Sequence, residues 1–256
     1  MIQKKSNKEI KAFRRKFNKD GFVIVPDYFE LDYARKIRNH ISEHIPEDSW
    51  HEAFAPVLDE DLEIAGDSYG NRLLPINNAT LAQRKARAAF ARNAAGNGSF
   101  AYNFDRTMGC SPSCECTLCE LKEVYDSVEV VHMLNTITAL DLGKTNTTFA
   151  SRYSANHFLS SHTDTDRGAL GVVYYINTHW NPTWGGLLHI QDESQKLEEV
   201  ICPEFNSIGL FTLPKGHFVS QVANYSKWSR YNHVAWYDRR KEEHDKMPRD
   251  REDFEE

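Results

Sequence analysis

The chain has 256 residues, a formal net charge of −6, 40% hydrophobic and 27% charged residues, five cysteines and eleven histidines. That is one large domain or two small ones with enough apolar material for a core, which excludes a disordered chain. No apolar run approaches the ~18–20 residues that span a bilayer, and mild acidity without clustered Lys and Arg speaks against a dedicated nucleic-acid binder.

The first eight residues, MIQKKSNK, carry no apolar stretch with a small-residue cleavage site, so a cytoplasmic location is expected, with no membrane or nucleic-acid partner. In that reducing compartment cysteines are free thiols or metal ligands more often than disulfides. Residues 7–18 place Ile10, Phe13 and Phe17 on one helical face opposite Lys8, Lys11 and Arg15, and Asp20-Gly21 ends the pattern. A short buried strand is expected over 22–25, closed by Pro26. A second amphipathic helix over about 31–44 turns Tyr33 or Ala34, Ile37, Ile41 and Ile45 inward.

Between 50 and 75 periodicity fades and Pro, Gly and Asp recur, which predicts a long irregular segment able to serve as part of a lid. The Ala- and Arg-rich residues 80–95 predict a helix ended by Gly96-Asn-Gly98, and 100–104 alternates as a strand does. Residues 118–140 read as mostly helical, with 128–131 compatible with either state. From 147 onward short runs rich in Val, Ile, Tyr, Phe and Trp alternate with turn residues: 147–153, 169–176, 186–190, 207–211, 217–222 and 231–237. Such spacing predicts a sandwich or barrel, with the earlier helices packed on one face of the same sheet layer. The expectation is a single α+β, mainly β domain over 1–238, with a helical and irregular part at 1–146, a β-rich core at 147–238 and a charged tail at 239–256.

His162-Thr-Asp164 is the one place where a histidine is followed two residues later by an acid. On a strand or its exit these two side chains can face one ion together, and His217, opening a predicted strand after Pro214-Lys215-Gly216, is the candidate third ligand. Two imidazoles and one carboxylate leave three adjacent positions of an octahedral ferrous ion open, as a reaction of dioxygen with a bidentate cosubstrate requires.

Several separated motifs carry a wider likeness: Ser151-Arg-Tyr153, Phe158-Leu159, His162-Thr-Asp164, Val173-Tyr-Tyr-Ile176, Trp180-Asn-Pro-Thr-Trp184-Gly-Gly-Leu187, Asn206-Ser-Ile-Gly-Leu-Phe211, His217 and Arg230-Tyr-Asn-His-Val-Ala-Trp236-Tyr237. In this order they resemble the 2-oxoglutarate/Fe(II)-dependent oxygenases, prolyl-4-hydroxylase-like branch, and Lys19-Asp-Gly-Phe-Val-Ile-Val-Pro26 is similar to that family's opening helix and strand. The resemblance implies a double-stranded β-helix (jelly roll) buttressed by N-terminal helices. It also implies iron on His162, Asp164 and His217, with Arg230 on the distal carboxylate of 2-oxoglutarate and the Tyr153 hydroxyl reaching the same group.

Lys227 lies nearer the family's usual offset from the second histidine and stands as the alternative to Arg230; a packed barrel tyrosine is the alternative for Tyr153. The implied reaction is oxidative decarboxylation of 2-oxoglutarate to succinate and carbon dioxide, coupled to hydroxylation of an unactivated C–H. Asp164 argues against halogenation, where a small residue replaces the carboxylate. Trp184-Gly185-Gly186 reads as a structural turn. The expected substrate is a free amino acid or related small metabolite, with Thr165-Asp166-Arg167 as candidate contacts or a plain surface salt bridge. A protein or peptide prolyl hydroxylase is the first alternative, and a non-catalytic, zinc-stapled binding module is the alternative of another class.

Cys110, Cys114, Cys116 and Cys119 fall within ten residues. Four thiolates satisfy tetrahedral zinc, and the spacing does not match the ferredoxin pattern; free thiols or a redox-sensitive pair are the other readings. Cys202 stands apart as a lone thiol.

Overall fold

The computed structural model describes residues 1–64, 72–110 and 113–240. Helix α1 (Asn7–Asp20) is closed at its start by a reciprocal pair, in which Ser6 Oγ accepts from the Glu9 N–H and the Glu9 carboxylate accepts from the Ser6 N–H. Gly21 ends the helix with φ 66°, donating its N–H to the Phe17 carbonyl at 2.7 Å. Strand β1 (Phe22–Val25) follows, then α2 (Leu31–Asn39), whose expected last turn widens into a π-helical turn at His40–His44. Tyr33, Ala34, Ile37 and Ile41 form the buried face, with the two isoleucines worth about 1.5–3 kcal/mol each.

The stretch 50–75 corrects the expectation of an irregular lid. Strands β2 (Trp50–Ala55) and β3 (Arg72–Pro75) pair with each other, and β2 pairs along its length with β4 (Tyr102–Thr107). The alternation is hidden because Glu52 is buried among Trp50, Ala53 and Phe54, its charge matched by residues distant in sequence. Residues 65–71 of that stretch lie outside the described residues. Helix α3 (Leu81–Gly96) forms as its composition predicts. The 118–140 segment divides into α4 (Thr117–Tyr125) and α5 (Val128–Thr138), because Ser127 caps the second helix by accepting from the Val130 N–H.

The remaining strands are β5 (Leu142–Tyr153), β6 (Phe158–His162), β7 (Leu170–Tyr175), β8 (Leu188–Gln191), β9 (Leu197–Ile201), β10 (Ser207–Thr212), β11 (His217–Val219) and β12 (Arg230–Arg239). Strand β9 escapes the sequence reading because it is an exposed edge carrying Glu198 and Glu199 where a buried strand would be apolar. Of the charged tail, 241–256 lies outside the described residues.

All pairings are antiparallel, in the order β1-β10-β7-β12-β5-β4-β6-β11-β8-β9, with β2 and β3 branching from β4. Period-two alternation sorts the side chains. Val172, Tyr174, Ala235 and Tyr237 join the core under α1, α2, α4 and α5, whereas Val173, Tyr175, Val234 and Trp236 face the opposite way into a second core. That second core joins β7, β10 and β12 to β6, β8 and β11 around a central cavity, so the sheet folds over on itself as a jelly roll with α1, α2, α4 and α5 on one outer face.

Candidate active site

The cavity, of about 120 Å³, is lined from both halves of the sheet. His162 ends β6 and His217 opens β11, and the register makes them direct cross-strand partners, with ring centroids 4.1 Å apart. Asp164 reaches the same point by a different route from strand alternation. It lies just beyond β6 with φ 52°, a left-handed conformation Asp tolerates, and its carbonyl accepts from the Arg167 N–H at 3.0 Å to close the turn.

His162 Nε2 stands 3.4 Å from Asp164 Oδ1 and His217 Nε2 3.6 Å from Oδ2, and the three ligand atoms lie within 4.8 Å of one another. The far ring nitrogens are directed at backbone: His162 Nδ1 at the Ser160 carbonyl (3.0 Å) and His217 Nδ1 at the Lys215 carbonyl (2.8 Å). With Nδ1–H donated there, each Nε2 keeps its lone pair toward the cluster, the arrangement that orients a metal-binding imidazole. Burial, with His217 adding to it, pushes the His162 pKa down to about 4, so the ring is neutral near pH 7. Burial alone would raise the Asp164 carboxyl, but the neighbouring His217, His162 and Arg167 hold it well below the usual carboxylate range. Two oriented imidazoles and one carboxylate make an N,N,O set that suits ferrous iron.

Two further residues hold this carboxylate that sequence reasoning did not single out as its partners. Trp236 Nε1–H donates to Asp164 Oδ2 at 3.0 Å, and Arg167 Nε lies 3.5 Å from Oδ1 with its guanidinium 5.0 Å over the Trp236 ring. Arg167 thus lines the cavity, while Thr165 and Asp166 are exposed. Nothing in the local sequence marks Trp236 apart from the other core aromatics of β12.

Arg230 opens β12 opposite Tyr153 on β5 and is 1% exposed. Its guanidinium lies over the rings of Tyr153 (5.0 Å) and Tyr175 (5.5 Å), and its Nε and Nη1 have no hydrogen-bond partner among the described residues. A buried guanidinium with unspent donors on a cavity wall is fitted to a carboxylate ligand. Lys227, the alternative, is exposed and lines a separate surface cleft with His179, Trp184 and Trp228. Tyr153 lines the cavity, stacked on Phe104 at 4.9 Å. Gly185 and Gly186 adopt φ 68° and 63°; a Cβ on Gly185 would stand 2.1 Å from the Gln221 carbonyl oxygen, in keeping with a structural turn.

Strand β4 forms part of the wall. Tyr102, Phe104 and Arg106 face the cavity, Arg106 lying 3.7 Å over Phe149. Asn103 and Asp105 face an ionic network: Asn103 donates to Glu52, Asp105 accepts from Arg84 (2.7 Å) and Arg152 (2.9 Å), and the buried Arg87 grips Asp61 with two 2.7 Å bonds and Glu52 with one of 3.0 Å. Burial raises the Glu52 pKa despite these partners.

The four clustered cysteines lie on the connection from β4 to α4 and in the first turn of α4, and do not line the cavity. Cys110, Cys114 and Cys119 flank a neighbouring cleft that shares Arg106 and Phe149 with it. Cys202 is separate, its thiol directed at the Trp180 carbonyl.

A sequence profile of the 2OG-Fe(II) oxygenase superfamily matches residues 148–238, the stretch carrying the triad and Arg230. No curated protein sequence matches the chain. Among solved structures, a Pseudomonas putida prolyl-4-hydroxylase superposes with a TM-score of 0.58 at 13% identity, covering 91% of this chain and 100% of that one. A Trichoplax adhaerens prolyl hydroxylase in complex with a hypoxia inducible factor oxygen degradation domain peptide fragment gives 0.58 at 14%, covering 91% and 94%. The non-heme alpha ketoglutarate dependent epimerase SnoN from nogalamycin biosynthesis gives 0.55 at 11%, covering 91% and 84%. No helix among the described residues is long and apolar enough to cross a membrane. Residues 148–238 thus carry the 2OG-Fe(II) oxygenase superfamily profile, and the chain has the fold of these solved structures.

Proposed function

We propose that the protein hydroxylates an unactivated C–H of a small, carboxylate-bearing molecule, a free amino acid or related metabolite, with release of succinate and carbon dioxide. The observation that carries this reading is one enclosed cavity holding both a three-residue ligand cluster and a buried guanidinium with unspent donors. His162, Asp164 and His217 would hold Fe(II), which supplies oxygen activation when bound. Arg230 would take the distal carboxylate of 2-oxoglutarate in a two-pronged charge-assisted bond, with Tyr153 beside it.

The chain's own residues do the orienting. The Ser160 and Lys215 carbonyls fix the two imidazoles, and Trp236 and Arg167 fix the rotamer of Asp164. Phe100, Tyr102, Phe104, Phe149 and Trp236 line the cavity with rings and limit water around the reacting atoms. Three arginines, 106, 167 and 230, line it against a single carboxylate, Asp164, and this excess of positive charge favours anionic ligands.

The peptide-bound likeness from Trichoplax adhaerens supports a second reading, hydroxylation of a prolyl residue in a protein or peptide. The superfamily and the intact ligand cluster both speak against a non-catalytic module. Incubation with Fe(II), 2-oxoglutarate and a panel of free amino acids and proline-containing peptides separates the readings. A mass gain of one oxygen on an amino acid, matched by succinate and lost in Asp164→Ala, is expected. Oxygen gain on peptides alone would overturn the small-molecule assignment, and no iron-dependent succinate with any substrate would overturn hydroxylation.

A further inference from the structure

The connection between β4 and α4 gathers Cys110, Cys114, Cys116 and Cys119, whose four sulfurs all lie within 4.8 Å of one another. The distance from Cys110 Sγ to Cys116 Sγ is 3.6 Å and from Cys116 Sγ to Cys119 Sγ 3.7 Å. A tetrahedron with Zn–S bonds of about 2.3 Å has edges of about 3.8 Å, so these sulfurs already stand at the spacing one zinc ion requires. They are too far apart for disulfides, whose sulfurs are about 2.05 Å apart, and all four cysteines are free.

The local backbone is built for the same purpose. Cys116 is the N-cap of α4 and Cys119 lies in its first turn, so the Cys-x-x-Cys half-site wraps a helix start. Cys110 and Cys114 approach from the β4 side of the loop. Among the described residues no imidazole or carboxylate joins the cluster, and an all-sulfur tetrahedral set suits zinc in a closed, structural site with no position open for substrate.

We propose that Cys110, Cys114, Cys116 and Cys119 form a structural Zn(II) site, separate from the iron centre, that staples the end of β4 to the start of α4. Through β4 the ion supports the active site. Thr107 accepts from the Ala150 N–H, and Arg106 and Phe149 form the partition between the cysteine-flanked cleft and the catalytic cavity. Loss of zinc frees the connection at one end of that partition.

The test is metal analysis of the full chain, purified without chelator after growth with zinc. About one zinc per chain is expected, unchanged in His162→Ala and lost in a Cys116→Ser/Cys119→Ser double variant. Titrating the wild-type protein with a mercurial should release that zinc over the modification of four thiols, and Co(II) exchanged into the site should show the intense sulfur-to-metal charge-transfer absorption of tetrahedral thiolate coordination. These wild-type readings decide the matter if the cysteine variants do not fold. Absence of zinc, iron bound by the cysteines, zinc lost with His162→Ala, or paired disulfides in the purified protein would each overturn the assignment. None of these readouts depends on catalytic turnover.

Discussion

The indole N–H of Trp236 donates to Oδ2 of Asp164 at 3.0 Å, across 72 residues of sequence. The bond fixes a carboxylate whose backbone already sits in a left-handed conformation, so the rotamer presented to the ion is set by β12 as well as by the turn after β6. Trp236→Phe keeps most of the ring and deletes the donor. Loss of such an outer hydrogen bond costs about 10–100-fold in metal affinity or activity. Expected is a weaker Fe(II) dependence of succinate formation with near-native unfolding; an unchanged iron titration would refute this positioning role.

Arg230 makes a sharper case. Arg230→Lys keeps a charge but loses the planar fork, and one charge-assisted bond of about 1.5–3 kcal/mol corresponds to a rise on the order of 10–100-fold in KM for 2-oxoglutarate. The effect should fall on that KM more than on kcat at saturation. Lys227→Ala, at an exposed position outside the cavity, should leave both unchanged; the reverse pattern would return the carboxylate to Lys227.

The buried Arg87 supports the wall behind the site. Arg87→Met leaves Asp61 and Glu52 buried without their shared partner, a loss of about 3–5 kcal/mol. A fall in unfolding free energy of that order, read from the denaturant midpoint and slope, is expected, with the double change Arg87→Met/Asp61→Leu recovering part of it. No shift in the midpoint would show that the network contributes little.

Acid stability should report His233. Burial pushes its pKa down to about 3 from 6.5, and its Nδ1 has no partner among the described residues. Between those values the unfolded chain binds a proton that the folded chain does not, so unfolding free energy rises with pH there and is lost as pH falls from 6.5 toward 3. By pH 5 the loss attributable to this one group is on the order of 2 kcal/mol. In His233→Leu the stability curve between pH 6.5 and 4.5 should be shallower by about one proton's worth of slope; parallel curves would exclude His233 as a source.

Much of the molecule could be read from residue order alone, and the exceptions share a cause. Strands β7, β10 and β12 are continuous apolar runs and announce themselves, as does the Ala-rich α3. Strand β2 does not, because Glu52 is compatible with burial only once Arg87 and Asn103 arrive from elsewhere in the chain. Similarly, His162 and Asp164 were legible as a pair, but their geometry was not. The cross-strand register with His217 and the left-handed φ of Asp164 bring the ligands together, where simple alternation along a strand was expected. Trp236 was visible as one aromatic among many, and only the closure of the sheet turns its N–H into a support for the site.

Strand β4 divides its duties by parity. The side chains of 102, 104 and 106 shape the pocket, while those of 103 and 105 tie the strand to Glu52, Arg84 and Arg152. Substitutions at the even positions can therefore recut the chamber for a differently shaped guest while the odd positions keep the strand in register, so substrate preference and framework strength can vary independently along the same six residues.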